Sequence, residues 1–267
     1  AILLNRLGMP AISLTGWQAG IFTNNTNQDA IIEDIDTSRI EKELDKGQIV
    51  IIAGFQGINS NMDITTLGRG GSDTTAVAIA AKLKAEKCYI FSDVDGVYTA
   101  DPRQTKVAKK INTLSYKEML DIADEGAKVL HNRCVEVGEK FNVPIVAKST
   151  FNNNEGTTIN NKIEGGYVKN IVKNDNIQYV HITSKEKYVL DKFNLIYNSF
   201  IDQELNVKNL VNSSEDTLDI SFTIPKAKFN KLANLLENKF EELESTYLDI
   251  TRISIIGNGI MSNNNVL

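Results

Sequence analysis

The 267 residues carry a net charge of −5, with 42% hydrophobic and 24% charged side chains and a sequence pI near 5.3. This is the composition of ordinary soluble globular material, long enough for two modest domains, and its acidity argues against general nucleic-acid binding. Two cysteines, Cys88 and Cys134, are too few for a disulfide framework, and with only His131 and His181 beside them they make a poor metal cluster. No metal-ligating set is assigned, a reducing cytoplasm is expected, and no apolar run is long enough to make a membrane a partner.

The chain opens on Ala1-Ile2-Leu3-Leu4-Asn5-Arg6-Leu7, which reads as the middle of a helix and suggests a sequence cut at both ends. Gln48 to Gly54 is a continuous β-branched apolar run, expected to form a strand buried on both faces. A helix is expected over Thr74–Lys87, with Ser72 or Asp73 as its N-cap. Cys88 to Ser92 reads as the next strand, followed by helices over Tyr116–Ala123 and Gly126–Phe141 and a strand over Val143–Ala147. Such alternation implies an α/β domain with a mostly parallel sheet. Near residue 150 the texture turns polar, and Gly165-Gly166 punctuates again. Beyond it the pattern gives strand 178–183, helix 187–203, strands 206–211 and 217–224, helix 226–239 and strand 248–256. That order, βαββαβ, is the ferredoxin-like pattern.

Three clusters carry chemistry. Leu67-Gly68-Arg69-Gly70-Gly71-Ser72-Asp73 is a glycine turn feeding a helix N-terminus, where backbone N–H groups and the helix dipole favour an anion. Arg69 adds a planar fork for a carboxylate or phosphate. The string lacks the ending of a Walker loop, and no strand leads directly into it as in a Rossmann fingerprint. The second cluster, Ser92-Asp93-Val94-Asp95-Gly96-Val97-Tyr98 through Arg103, begins where a strand ends, the usual place for a ligand in an open parallel sheet. Its Asp-x-Asp-Gly lacks the later acidic residue of a calcium loop, and Arg103 after a proline turn suits a phosphate. In the third, Gly126 to His131, Lys128 stands at a helix start within reach of a nucleotide. His131 reads as a packing or capping residue.

Together with Ser13 to Gly20, Ala53-Gly54-Phe55-Gln56-Gly57, Ser115-Tyr116 and Lys148-Ser149-Thr150-Phe151, these strings resemble the aspartate kinases of the amino-acid kinase superfamily. The similarity runs in order over essentially the whole chain. It implies transfer of the ATP γ-phosphoryl to the side-chain carboxylate of L-aspartate, the first step towards lysine, threonine and methionine, with ATP and Mg²⁺ as cofactors. By the same resemblance Arg69 and Ser72 bind substrate, Asp73 is catalytic as a charge organiser, and Ser92, Asp93, Tyr98, Arg103 and Lys128 bind ATP. Gly54 and Gly57 border the cleft.

The C-terminal unit resembles an ACT domain, through Asn206-Val207 and Asp219 to Pro225, with the start of a second near Thr251–Met261. That implies a homo-oligomer and feedback inhibition by lysine or threonine, lysine favoured, with Asn206, Val207, Asn212 and Asp219 as allosteric residues. The expected division is a catalytic domain over 1–165, the first ACT domain with its linker over 166–247, and an incomplete second over 248–267. The family's opening Lys-Phe-Gly-Gly-Thr-Ser string and its Gly-Glu pair have no match here, so these 267 residues alone are expected to be inactive. Two rival readings are another amino-acid kinase, acting on glutamate or acetylglutamate, and a non-catalytic amino-acid-binding regulator.

Overall fold

Strand and helix do alternate through the first half, but around several short sheets. The computed structural model describes residues 1–127, 129–162, 168–187, 190–214, 217–258 and 260. Residues 1–172, with the stretch from 255, form one compact unit and 173–254 the other. The first contains α1 (Ile2–Arg6), β1 (Ala11–Leu14), β2 (Ile21–Thr23), β3 (Ile32–Ile35), α2 (Ser38–Leu44), β4 (Ile49–Ile52), β5 (Gln56–Ile58) and β6 (Ile64–Thr66). It continues with α3 (Gly71–Lys82), β7 (Cys88–Ser92), β8 (Thr113–Ser115), α4 (Tyr116–Asp124), α5 (Asn132–Phe141), β9 (Ile145–Ser149) and β10 (Thr157–Asn160).

β1 and β4 pair in parallel. β7 and β9 are also parallel, from Cys88 beside Ile145 to Ser92 beside Ser149, and β10 joins β9 antiparallel and β8 in parallel. A separate ribbon runs in the order β3-β2-β5-β6. The main core lies between the β7-β9-β10-β8 sheet and the helices, where Val77, Ile90, Met119, Ile122, Cys134 and Ile145 pack together.

Three local expectations are corrected. β4 is buried on one face: Val50 and Ile52 join Leu14, Ile40 and Ile79 in a second cluster, whereas Ile49 and Ile51 are 43% and 37% exposed. The side chains that α2 and α3 contribute to this cluster meet only alternate residues of the strand. α3 starts at Gly71, capped by Gly70 in the left-handed region, so Ser72 and Asp73 are inside its first turn. It stops at Lys82, because Lys84 takes a positive φ of 51°. α5 begins at Asn132 after His131, and the break before it falls at Gly126 with φ 114°.

Ser115 and Glu118 form a reciprocal capping box on α4: the Ser115 hydroxyl accepts from the Glu118 N–H, and the Glu118 carboxylate accepts from the Ser115 N–H. Glu118 is buried and also accepts from Asn258 Nδ2 at 2.7 Å.

The second unit comprises β11 (Asn170–Lys187, from residue 173), α6 (Leu190–Asp202), β12 (Lys208–Asn212), β13 (Thr217–Pro225), a short 3-10 turn, α7 (Phe229–Lys239) and β14 (Glu244–Ile256, to residue 254). Strand order is β12-β13-β11-β14, with β13 antiparallel to both β11 and β12. The strand–helix–strand–strand–helix–strand order is the one the sequence periodicity indicates. Alternate residues Val180, Ile182, Ile220 and Phe222 turn one sheet face towards Ile196, Phe200, Leu232 and Leu236 of the helices. Among the described residues, no helix is long and apolar enough to cross a membrane.

Candidate active site

The glycine turn is assembled by close approach. Gly68 and Gly70 have φ of 71° and 69°, a region that side chains with a Cβ rarely adopt. A Cβ at Gly68 would lie 1.6 Å from Asp29 Oδ1, and one at Gly70 would lie 2.3 Å from the His131 Cβ. Within the turn, the Gly71 N–H donates to the Gly68 carbonyl at 3.1 Å, and the Thr74 and Thr75 hydroxyls donate back to the carbonyls of Gly70 and Gly71.

A second wall comes from the segment after β4. Phe55 is held at φ 71°, unusual for an aromatic residue; its N–H donates to Thr75 Oγ1 at 3.1 Å, and its carbonyl accepts from the Leu67 N–H at 3.0 Å. Gly54 brings this segment so near that its Cβ would sit 3.3 Å from Ser72 Cα. From α5, Arg133 donates to the carbonyls of Leu67 and Ala30 at 2.5 and 2.8 Å.

On this scaffold Arg69 and Ser72 are exposed and Asp73 is partly buried. Burial pushes the Asp73 carboxyl above its ordinary pKa, with the His131 charge opposing the rise. His131 Nδ1 is buried with no hydrogen-bond partner among the described residues. The nearby thiols are pushed up to about 11 at Cys88 and about 12 at Cys134, chiefly by burial and secondarily by Asp73, so they stay protonated and inert at neutral pH.

The loop after β7 is tied differently. Ser92 ends the strand, and its hydroxyl accepts from the Val94 N–H at 3.3 Å. Asp93 is exposed. Asp95 accepts from Asn154 Nδ2 at 2.8 Å and from Lys110 Nζ at 3.4 Å; the Asn154 contact is the larger cause holding its carboxyl below the usual range. Gly96 has φ 114° and lies against the buried Thr157, whose Oγ1 accepts from the Val97 N–H at 2.8 Å and donates to the Ile111 carbonyl at 2.6 Å. Tyr98 pairs across to Lys110, and its carbonyl accepts from Asn170 Nδ2 at 2.6 Å. Arg103 closes the loop with a bidentate fork on Asp101, at 3.0 and 3.1 Å. That fork raises the pKa of Arg103 and lowers that of Asp101.

The structure thus gathers Arg69, Ser72 and Asp73 on one turn and Ser92, Asp93, Tyr98 and Arg103 on another. No hydrogen bond of the described residues joins the two groups. Lys128 lies outside the described residues. In the second unit, Asn212 and Asp219 meet: the Asp219 N–H donates to Asn212 Oδ1 at 3.2 Å, and Asp219 Oδ1 contacts His181 Nε2 at 2.8 Å. Asn206, with φ 56°, and the partly buried Val207 precede β12. Among the described residues, no three His, Cys, Asp or Glu side chains cluster as a metal site would need.

Sequence reasoning missed Asp29 and Arg133, and saw Phe55, Thr75 and Thr157 only as parts of strings. Their partners lie 20 to 103 residues away, and local patterning carries no signal of such pairings.

Residues 1–149 match the family model described as the amino acid kinase family. The chain is 40% identical to an aspartokinase of Helicobacter pylori over 280 residues, covering 100% of this chain and 68% of the relative. The chain belongs to the amino acid kinase family, among its aspartokinases. A second member, the aspartokinase of Geobacillus stearothermophilus, is 43% identical over 270 residues, covering 98% of this chain and 66% of its own length. The chain spans about two thirds of the length of the curated relatives it matches. Its fold is that of E. coli aspartokinase III. The complex of that enzyme with aspartate and ADP superposes with a TM-score of 0.79 at 23% identity, over 98% of this chain and 61% of the other. Its complex with lysine and aspartate gives 0.77 at 22%, over 97% and 60%.

Proposed function

We propose that the whole protein to which this chain belongs is an ATP-dependent aspartate kinase, forming 4-phospho-L-aspartate. The observation that carries the reading is the glycine turn at the start of α3, with Arg69 exposed at its tip, in a member of the aspartokinases. An aspartate side chain has a pKa of about 3.9 and is already ionised at neutral pH, so the nucleophile needs no general base. Catalysis then rests on positioning two anions and offsetting their charge.

In this reading Arg69 grips a substrate carboxylate and Ser72 donates beside it. Asp73 orients cationic groups rather than accepting a proton. Ser92, Asp93, Tyr98, Arg103 and Lys128 hold ATP, with Arg103 exchanging its Asp101 partner for phosphate or sharing the two. Mg²⁺ would enter on the nucleotide, since it binds through one or two carboxylates plus phosphate oxygens and keeps several waters; the absence of a three-carboxylate cage among the described residues is compatible with that.

The second unit is read as an ACT domain that supports a homo-oligomer and takes an amino-acid effector near Asn206, Val207, Asn212 and Asp219. Lysine is favoured over threonine, in keeping with the lysine complex of E. coli aspartokinase III. A cytoplasmic location goes with this reading.

The test is hydroxylamine trapping of the acyl phosphate made by the whole protein with ATP. The expected product is aspartyl hydroxamate, formed with aspartate but not with glutamate or acetylglutamate, and suppressed by lysine. Hydroxamate from glutamate alone would transfer the reading to another amino-acid kinase.

A further inference from the structure

We propose that Arg133 is a positioning residue for the substrate-binding turn: a single guanidinium on α5 that clamps both walls of the Gly68–Gly70 backbone. Its two ends go to two different segments. Nη1 donates to the carbonyl of Leu67, the residue directly before Gly68, and Nη2 to the carbonyl of Ala30, directly after Asp29. Asp29 is the residue whose carboxylate occupies the space a Cβ at Gly68 would fill. Leu67 and Ala30 are each fully buried, and the same two segments are also joined by the Ala30 N–H donating to the Thr66 carbonyl at 2.9 Å. Two residues before Arg133 on the chain, His131 packs on Gly70.

Arginine suits this place for a geometric reason. Its planar fork spans two acceptors at fixed separation, whereas a lysine ammonium is a point donor on a flexible stem. Among the described residues, no hydrogen bond joins Arg133 to a side chain assigned to substrate or nucleotide; its two bonds go to backbone carbonyls. Displacing a binding group by about 1 Å can cost up to a hundredfold in rate. Arg69 is therefore held by a residue 64 positions further along the chain, numbered 133 against 69. The catalytic consequence rests on the aspartate-kinase reading; the clamp itself does not.

The experiment uses the whole protein carrying Arg133→Met, which keeps the apolar stem, and Arg133→Lys, which keeps the charge. In Arg133→Met the KM for aspartate is expected to rise about tenfold while the KM for ATP stays within about twofold. Amide hydrogen exchange over residues 67–71 should accelerate in parallel, and Arg133→Lys should fall between the variant and the parent. Unchanged exchange over 67–71 overturns the inference whatever the kinetics do. An equal rise in both KM values also overturns it, as loosening of the whole unit would produce. Failure of the parent protein to phosphorylate aspartate would remove the functional reading, and exchange over 67–71 would then decide the clamp alone.

Discussion

The two loops proposed to meet the substrates hold their side chains differently. The glycine turn at Gly68–Asp73 is locked by residues far off in the chain: Phe55 through Thr75, Asp29 and His131 by close packing, and Arg133 by two hydrogen bonds. In the Ser92–Arg103 loop the side chains of Ser92 and Arg103 are tied locally. Ser92 caps Val94, and Arg103 folds back on Asp101 two residues away. Its long-range anchors hold the backbone and Asp95: Thr157 at Gly96 and Val97, Asn154 on Asp95, and Asn170 on the Tyr98 carbonyl. The difference fits the tasks proposed for them. A small substrate carboxylate demands a fixed grip, since little binding energy is available to order the site. A nucleotide brings enough contacts to draw exposed side chains such as Arg103 away from weak surface partners.

The largest expected effect that tests this contrast is at Gly70. Gly70→Ala introduces a Cβ into the His131 side chain at a left-handed position, which glycine tolerates and alanine does not. Activity of the whole protein should fall at least about a hundredfold, as expected when a site is displaced by ångströms. Hydroxamate formation within tenfold of the parent would show that the turn need not be rigid.

Next comes a buried anchor of the other loop. Thr157→Val conserves volume but leaves the Val97 N–H and Ile111 carbonyl without their partner, costing about 1–3 kcal/mol of stability. Denaturant titration measures it. A shift confined to the KM for ATP, with stability unchanged, would mean that the loop is as loosely tied here as at its exposed end.

The smallest effect is the one on stability at Asp73. Because burial raises its pKa in the folded state, the folded protein holds the proton more tightly than the unfolded chain, and stability falls as pH rises from the ordinary carboxylate value through the raised one. Above that window the penalty is fully present. Asp73→Asn should therefore raise Tm at neutral pH by a few degrees at most, with the gain vanishing in acid, while phosphoryl transfer is lost. A lower Tm across the whole pH range would place Asp73 among the turn's structural supports.

Much of the second unit was legible in the sequence. Its strands alternate apolar residues at period two, its helices carry a single apolar stripe, and turn residues separate them, so the elements after the first strand fall within a few residues of their observed ends, whereas β11 begins eight residues before the expected 178. In the first unit the errors cluster at helix starts. Ser72 and Asp73 are good N-cap residues, yet Gly70 takes that place because the turn is dictated by Asp29 and His131 packing against its glycines. Gly126 looked like a helix opening. Its φ of 114° instead breaks the chain before α5 starts at Asn132.

From the sequence alone came the types of the elements named above, the glycine turn, the loop from Ser92 to Arg103 and the family resemblance. All of these depend on residues near one another in the chain, where periodicity, turn chemistry and motif spacing act. Tertiary structure alone decided which face of β4 is buried, why Phe55 accepts a positive φ, and how Arg133 reaches Leu67 and Ala30. These features are set by packing and by the need to satisfy buried carbonyls across tens of residues, and no local pattern encodes them.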